Sequence, residues 1–177
     1  MLIKIMQIYT PEFIKKKKLE ELFRLTADAF QSELPELRGL SYAVCLSEYA
    51  LFTKKQAESS LQGGRPLEEV KYRLYQNSCA FGQDLRKSLY IKTWEEAVAV
   101  LKVIYKHIGI DFQCDRQGEI IIKQCFFSKY YSGEVCRLIS SLDEGLAEGL
   151  SGGGRLFFNQ RISEGGSCCR GYFSGEL

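Results

Sequence analysis

The chain has 177 residues, which is enough for one domain with a hydrophobic core, and its formal net charge is +2. Apolar residues make up 45% of the chain and charged residues 26%, which is ordinary for a globular protein. Because the charge is nearly balanced, it provides no strong field for nucleic acid or for an acidic membrane, and we expect neither partner.

The first residues and the cysteines indicate the cellular compartment. Residues 1–8 form an apolar run that is too short and too interrupted for a signal peptide or a membrane-spanning helix. The chain has seven cysteines, an odd number that does not fit a closed disulfide framework. We therefore expect a cytoplasmic protein whose cysteines are free thiols or metal ligands.

The first third of the chain predicts two helices. Residues 1–9 alternate loosely and fit either an edge strand or the lead-in to the first helix, for which Thr10 is the expected N-cap and Pro11 the first residue. Lysines fill positions 15–18, a pattern typical of a solvated helix face, with anionic lipid or nucleic acid as the functional alternative. A second helix is predicted for residues 40–60, with four apolar positions: Ala43, Leu46, Ala50 and Leu51.

The middle of the chain predicts two more helices. Glycines at 63 and 64 interrupt the helical pattern, and Pro66 begins a third helix. Gly82 lies inside this helix, where glycine lowers helix stability by about 1 kcal/mol relative to alanine. We expect a close helix crossing at Gly82. Thr93 and Glu96 form a capping box for a fourth helix, which Gly109 closes.

The last third predicts strands around one late helix. A β-rich run covers residues 119–131, and a helix begins near Ser132 and ends among glycines at 149 and 152–154. Two further strands, 155–162 and 168–173, predict a hairpin with a four-residue loop. Helices followed by antiparallel strands indicate an α+β fold with N-terminal helices packed on the sheet. We expect a single domain over 1–177, with a helical part at 1–65 and a core at 66–177.

Few residues are candidates for chemistry. His107, the one histidine, lies in the last turn of a helix, where histidine is often structural. The sequence contains no Cys-x-x-Cys motif. Cys125, Cys136 and the Cys168–Cys169 pair are nevertheless predicted to converge at one end of the sheet. They would be either small buried apolar residues or a group of functional thiols. Neighbours on a strand point to opposite faces, so only one of the pair is expected to face the core.

The last two thirds of the chain carry short motifs that are similar to those of a known family. They are AFGQDL at 80–85, the helix over 94–108, the strand over 120–127, the helix with Cys136, and the pattern Gly165-x-x-x-Cys169-x-x-x-Phe173. Together they resemble the four-vinyl-reductase, or hydrocarbon-binding, domain over residues 70–175. The segment 158–173 is also similar to the aminothiazoline carboxylate hydrolase-like family, whose C-terminal part has a strand, a glycine and paired cysteines in the same manner.

The resemblance implies an α+β fold like the ligand-binding domain of nitric-oxide-signalling and Golgi-transport proteins. It implies a small apolar or aromatic ligand between helices and sheet, and a homodimer. Zinc-binding relatives would use four positions, of which Cys136 and Cys169 match the outer two, whereas Phe158 and Arg161 occupy the middle two. We therefore predict no metal and no cofactor, although Cys125, Cys136, Cys168 and Cys169 leave a four-cysteine set open.

Three functions remain open. The first is a binding module or sensor whose ligand contacts Phe126, Phe158, Arg161 and Tyr172, with Phe127, Phe157 and Phe173 as further candidates. The second is a hydrolase that opens a small heterocyclic carboxylic acid. Its thiol would be Cys136 or Cys169, its proton carrier Asp143 or Glu144, and its carboxylate anchor Arg161. The third is an interaction protein that dimerises through the same fold.

Overall fold

The computed structural model of the protein describes residues 10–64 and 66–175. Within them the chain forms α1 (Glu12–Ala29), α2 (Tyr42–Ser59), α3 (Leu67–Ser88), α4 (Trp94–His107) and α5 (Gly133–Ser151), and four strands: β1 (Ile110–Cys114), β2 (Glu119–Cys125), β3 (Arg155–Gln160) and β4 (Cys169–Ser174). The predicted α+β fold, with helices packed on an antiparallel sheet, is confirmed. The predicted lead-in at residues 1–9 lies outside the described part of the chain.

The helix starts follow the capping signals with one exception. The Thr93–Glu96 capping box is present at α4, and the Ser132 side chain accepts a hydrogen bond from Val135 N–H at the start of α5. The predicted Thr10 cap is wrong, because α1 begins one residue later with Pro11 at the N-cap position and no side-chain cap. The Thr10 hydroxyl lies instead 2.7 Å from His107 Nε2.

All neighbouring strands of the sheet are antiparallel, in the order β1-β2-β4-β3. Strand β1 was not predicted: its five residues, IDFQC, alternate between apolar and polar, but the run is short and follows directly on the end of α4. Strand β2 ends at Cys125, and a short 3-10 helix, Phe126–Lys129, replaces the predicted second half of that run. The predicted hairpin is present as β3 and β4, but residues 161–168 join them, including the 3-10 turn Ile162–Glu164.

One face of the sheet is buried under α4 and α5, and the other faces solvent. Alternation places the following six residues on the buried face: Phe112, Ile120, Ile122, Leu156, Cys169 and Phe173. Phe157 and Tyr172 point outward, 51% and 40% exposed, with their rings 6.2 Å apart. Cys168 is also buried, because it precedes the strand and the alternation does not apply to it.

Helix α5 belongs to both hydrophobic clusters of the core. Val135, Leu138 and Leu142 pack with α1, α2 and α3, whereas Leu146 and Leu150 pack with α4 and the sheet. The prediction that Gly149 helps to end this helix is wrong, since α5 continues to Ser151 and stops at Gly152, which has a positive φ of 82°. Ala43 and Leu51, predicted as apolar positions of α2, are exposed.

Glycines bring α3 and α5 into direct backbone contact. A Cβ on Gly82 of α3 would lie 2.7 Å from the carbonyl oxygen of Leu146. On α5, a Cβ on Gly145 would overlap the Tyr75 carbonyl, and one on Gly149 would lie 2.9 Å from Gln83 N. The close crossing predicted at Gly82 is therefore present, and three glycines from two helices create it.

Replacing Gly145 by alanine tests this contact. The added methyl group meets backbone atoms that cannot rotate away, so we expect Gly145→Ala to lower the unfolding free energy by about 1–3 kcal/mol or more. This loss exceeds the gain of about 1 kcal/mol that alanine brings to a helix interior. Urea unfolding followed by circular dichroism measures the difference.

Gly133→Ala on the same helix is the matched control. The nearest atoms to its new Cβ belong to the flexible Glu164 side chain, so we expect a change of less than about 1 kcal/mol. Equal unfolding free energies for Gly145→Ala and the wild type would show that the crossing does not depend on the missing side chain.

Candidate functional site

An apolar cavity, here named the inner cavity, lies between the helices and the sheet. Its volume is about 100 Å³, measured as the space open to the centre of a water molecule. All five helices contribute to its wall, together with β1, β2 and the segment after β2, through these residues: Leu22, Leu25, Tyr49, Ser78, Phe81, Ile104, Tyr105, Ile108, Ile110, Cys125, Phe127, Tyr131, Cys136, Ile139, Ser140, Leu142, Asp143 and Leu146. One water needs about 10–15 Å³ on this scale, so the inner cavity has room for a small organic molecule.

The most polar part of the inner cavity is the pair formed by Tyr105 and Asp143. The Tyr105 hydroxyl donates to Asp143 Oδ1 at 2.7 Å. Burial, the largest influence, raises the pKa of the Asp143 carboxyl from 3.8 to about 6, although the Tyr105 hydrogen bond and the Arg161 charge oppose it. The carboxyl is therefore largely ionised at pH 7.5 and largely protonated below pH 5.

Arg161 lies beside this polar end without contributing to the cavity wall. Its side chain is 9% exposed, and its guanidinium group is 5.3 Å from the ring centre of Phe158. It donates to the Phe158 carbonyl at 3.4 Å and to the Ser140 hydroxyl at 3.3 Å, while its Nε has no hydrogen-bond partner among the described residues. Its positive charge lowers the pKa of both Asp143 and Glu144, although burial raises each overall.

Cys125, Cys136 and Cys169 converge near the same end of the sheet. The three thiols are close enough to influence one another electrostatically, and the Ile162 N–H donates to Cys169 Sγ at 3.4 Å. Burial raises the pKa of Cys125 to about 12 and also raises those of Cys136 and Cys169. All three are therefore neutral thiols near pH 7, which makes them weak nucleophiles.

The structure offers no cluster of metal ligands within residues 10–64 and 66–175. No three side chains among the histidine, cysteines, aspartates and glutamates of this part lie in positions to share an ion. The absence of zinc stays a prediction, which elemental analysis of the purified protein decides.

A second apolar space, here named the outer cavity, lies on the far side of Leu22, Phe81, Ile104 and Ile108. Its volume on the same scale is about 70 Å³, and its polar wall residues are Lys15, Lys18, Tyr42 and His107. Each lysine lies near an aromatic ring, and Lys18 also pairs with Glu21 at 2.8 Å. Burial and the nearby lysines lower the pKa of His107, so it is neutral near pH 7.

The structure separates the residues that the sequence proposed for ligand contact. Cys136 and Asp143 face the inner cavity, and so does Phe127. Phe126, Phe158, Arg161, Tyr172 and Cys169 do not line it. Phe126 lies under the Lys129 amine at 4.2 Å, Tyr172 is on the solvent face of the sheet, and Phe173 is packed against Trp94.

Three tyrosines of the cavity wall were not proposed from the sequence. Tyr49, Tyr105 and Tyr131 occupy buried positions that resemble ordinary core in the sequence. A buried tyrosine hydroxyl needs a hydrogen-bond partner, so such a position already indicates that a polar group lies nearby. The sequence alone does not identify that group as Asp143.

No model of a known protein family matches the chain, and no curated protein matches it. The resemblance to the hydrocarbon-binding and hydrolase-like families therefore stays a prediction. Among the described residues, no helix combines the length and the apolar character needed to cross a membrane.

The raised pKa of Asp143 predicts a pH dependence of stability. The folded protein holds the carboxyl proton more tightly than the unfolded chain does. The contribution of Asp143 to the unfolding free energy therefore falls as the pH rises from about 4 to about 6. Asp143→Asn removes the ionisation. We expect the stability of the variant relative to wild type to increase by about 2 kcal/mol between pH 4 and pH 7.

Urea unfolding at intervals over that pH range measures this difference, with the exposed Glu134→Gln on the same helix as control. A difference between Asp143→Asn and wild type that stays constant with pH would contradict the burial of this carboxylate.

Proposed function

We propose that this protein binds a small, mostly apolar molecule in the inner cavity. The observation that supports the proposal is the cavity itself, a partly open space of about 100 Å³ between helices and sheet. Protein interiors are normally close-packed, and empty spaces of this size cost stability. A retained space with mostly apolar walls and a few polar groups has the character of a ligand site.

The arrangement of the wall also supports binding in preference to a packing defect. Tyr105 and Asp143 give the space one polar end, and Ile104, Ile139 and Leu146 are among its apolar wall residues. The predicted resemblance to hydrocarbon-binding domains implies a ligand in the same position, between helices and sheet. A site of this kind orients its ligand by the polar end and excludes water along the rest.

Toluene is a suitable first probe because it is apolar, aromatic and small. We expect calorimetric titration to show saturable binding to wild-type protein and binding at least tenfold weaker to Ile139→Phe, whose larger side chain fills the cavity. The control is Ile121→Phe, which enlarges a partly buried strand residue that does not line the cavity. It should bind toluene as the wild type does.

Saturable binding that Ile139→Phe leaves unchanged would place the probe outside the inner cavity and contradict the proposal. Absence of saturable toluene binding in the wild type, up to the solubility limit, would rule out a wholly apolar ligand of this size, and the same result with aromatic probes that carry a polar group would contradict the proposal.

A hydrolase is the second candidate, and one observation favours it. Cys136 and Asp143 face the same cavity, with Ser140 between them on α5. Asp143 has a pKa of about 6, which suits a proton carrier near neutral pH. The neutral thiol of Cys136 argues against it, since a thiol nucleophile must be activated and the one histidine lines the outer cavity.

The hydrolase candidate predicts that 2-aminothiazoline-4-carboxylate is opened by the wild type and that Cys136→Ser lowers the rate by at least a hundredfold. Ring opening followed by liquid chromatography measures this, with Cys45→Ser, a buried cysteine outside the inner cavity, as control. Turnover that survives in Cys136→Ser and in Cys169→Ser would contradict the thiol mechanism. The homodimer stays a prediction of the resemblance.

A further inference from the structure

Most polar side chains of the inner cavity already have partners inside the protein. The Tyr49 hydroxyl lies 3.0 Å from the Thr26 hydroxyl, and the Tyr131 hydroxyl pairs with Thr53. Ser140 donates to the Cys136 carbonyl at 2.8 Å. These groups are satisfied, so they have little reason to select a polar ligand.

Asp143 is different, because only one of its two carboxylate oxygens has a partner. Oδ1 accepts the hydrogen bond from Tyr105 at 2.7 Å. In the part of the chain that the structure describes, no donor reaches Oδ2 and no cation forms an ion pair with the carboxylate. A carboxylate in a mostly apolar space is costly unless it is paired, so this oxygen is available to a donor supplied by a ligand.

Aromatic rings surround the same space. Five of the wall residues are aromatic: Tyr49, Phe81, Tyr105, Phe127 and Tyr131. The rings of Tyr49 and Phe127 meet edge to face with centres 6.1 Å apart, and Phe127 stacks on Tyr131 at 5.4 Å. Aromatic faces attract organic cations, and such interactions are strongest where water is excluded.

The charges near Asp143 also favour a positive ligand. Arg161 contributes one positive charge, while Asp143 and Glu144 contribute two negative charges when ionised. The neighbouring Tyr49, Tyr105 and Cys136 are neutral, because burial raises the pKa of each. The guanidinium of Arg161 donates its hydrogen bonds to Ser140 and Phe158. Arg161 does not line the cavity, so the ionisable carboxylate in the cavity wall is that of Asp143.

We propose that the ligand of the inner cavity is a small organic amine, a protonated amino group on an apolar or aromatic body, and that Asp143 Oδ2 binds its ammonium group. This inference rests on the proposed function, which it makes specific. The carboxylate supplies the counter-charge, and the aromatic rings contact the body of the ligand. The outer cavity, with Lys15 and Lys18 in its wall, repels the same cation.

Two probes of nearly equal shape test the charge. 2-Phenylethylamine is protonated at pH 7.5, whereas 2-phenylethanol is neutral. We expect calorimetry at this pH to show the amine binding wild-type protein at least tenfold more tightly than the alcohol. In Asp143→Asn the ratio of the two affinities should fall to within threefold of unity, because the amide has no charge and the same shape.

Glu144→Gln is the matched control. This substitution removes the carboxylate of the adjacent residue of α5, which does not line the cavity. The preference for the amine should therefore remain. Acidification gives a second readout. Protonation of Asp143 below pH 6 should weaken binding of the amine and leave binding of the alcohol unchanged.

The outcomes separate this inference from the proposed function. Equal affinities of the wild type for amine and alcohol would overturn the inference, and so would a preference that persists in Asp143→Asn, while binding of either probe would still support a ligand cavity. Failure of the wild type to bind toluene, the amine and the alcohol alike would overturn both.

Discussion

The backbone contact between α3 and α5 is the constraint on which the rest of the structure depends. Gly82, Gly145 and Gly149 remove the side chains that would separate the two helices. The contact fixes the second half of α5 against α3, and the opposite side of this half packs on the sheet through Leu146, Ala147 and Leu150. Because both sides are held, the orientation of the whole helix is determined.

That orientation places the functional groups. Cys136, Ile139, Ser140 and Asp143 recur at spacings of three and four residues, so they share one face of α5, and this face lies against the inner cavity. Close packing near Gly145 and Gly149 contrasts with the open space beside Ile139 and Asp143. The same helix thus forms a close backbone contact with α3 and part of the wall of the cavity.

Much of the fold was predictable from local patterns. Capping residues, the Gly82 crossing and the hairpin were visible because each depends on neighbours in sequence or on a steric requirement of one residue. The strand β1 was missed although its five residues alternate between apolar and polar, because so short a run after a helix stop is a weak signal by itself. Strand β2 was predicted too long, because the aromatic residues that follow Cys125 continue the β-rich pattern but form a 3-10 helix. The Thr10 cap was wrong by one residue, which is within the usual uncertainty of a helix boundary.

The site was predictable only in part. Cys136 and Asp143 were named as candidates, and so was Phe127, but most of the other aromatic contacts were expected from the hairpin. Phe157 and Tyr172 alternate with buried residues and therefore face solvent, whereas the rings that line the cavity come mostly from helices. Residues such as Tyr49 and Tyr131 are indistinguishable from core in a sequence, because a cavity is a property of several elements together.

Asp143 connects stability with function. Burial of its charge lowers the free energy of unfolding at neutral pH, and a ligand that pairs with Oδ2 would recover part of that loss.

The most direct test of this account is a crystal structure of the protein soaked with 2-phenylethylamine. The account predicts the amine nitrogen at about 2.7–3.2 Å from Asp143 Oδ2, with the ring among Tyr49, Phe127 and Tyr131. An ordered amine in the outer cavity, or an inner cavity that remains empty at a saturating concentration, would contradict it.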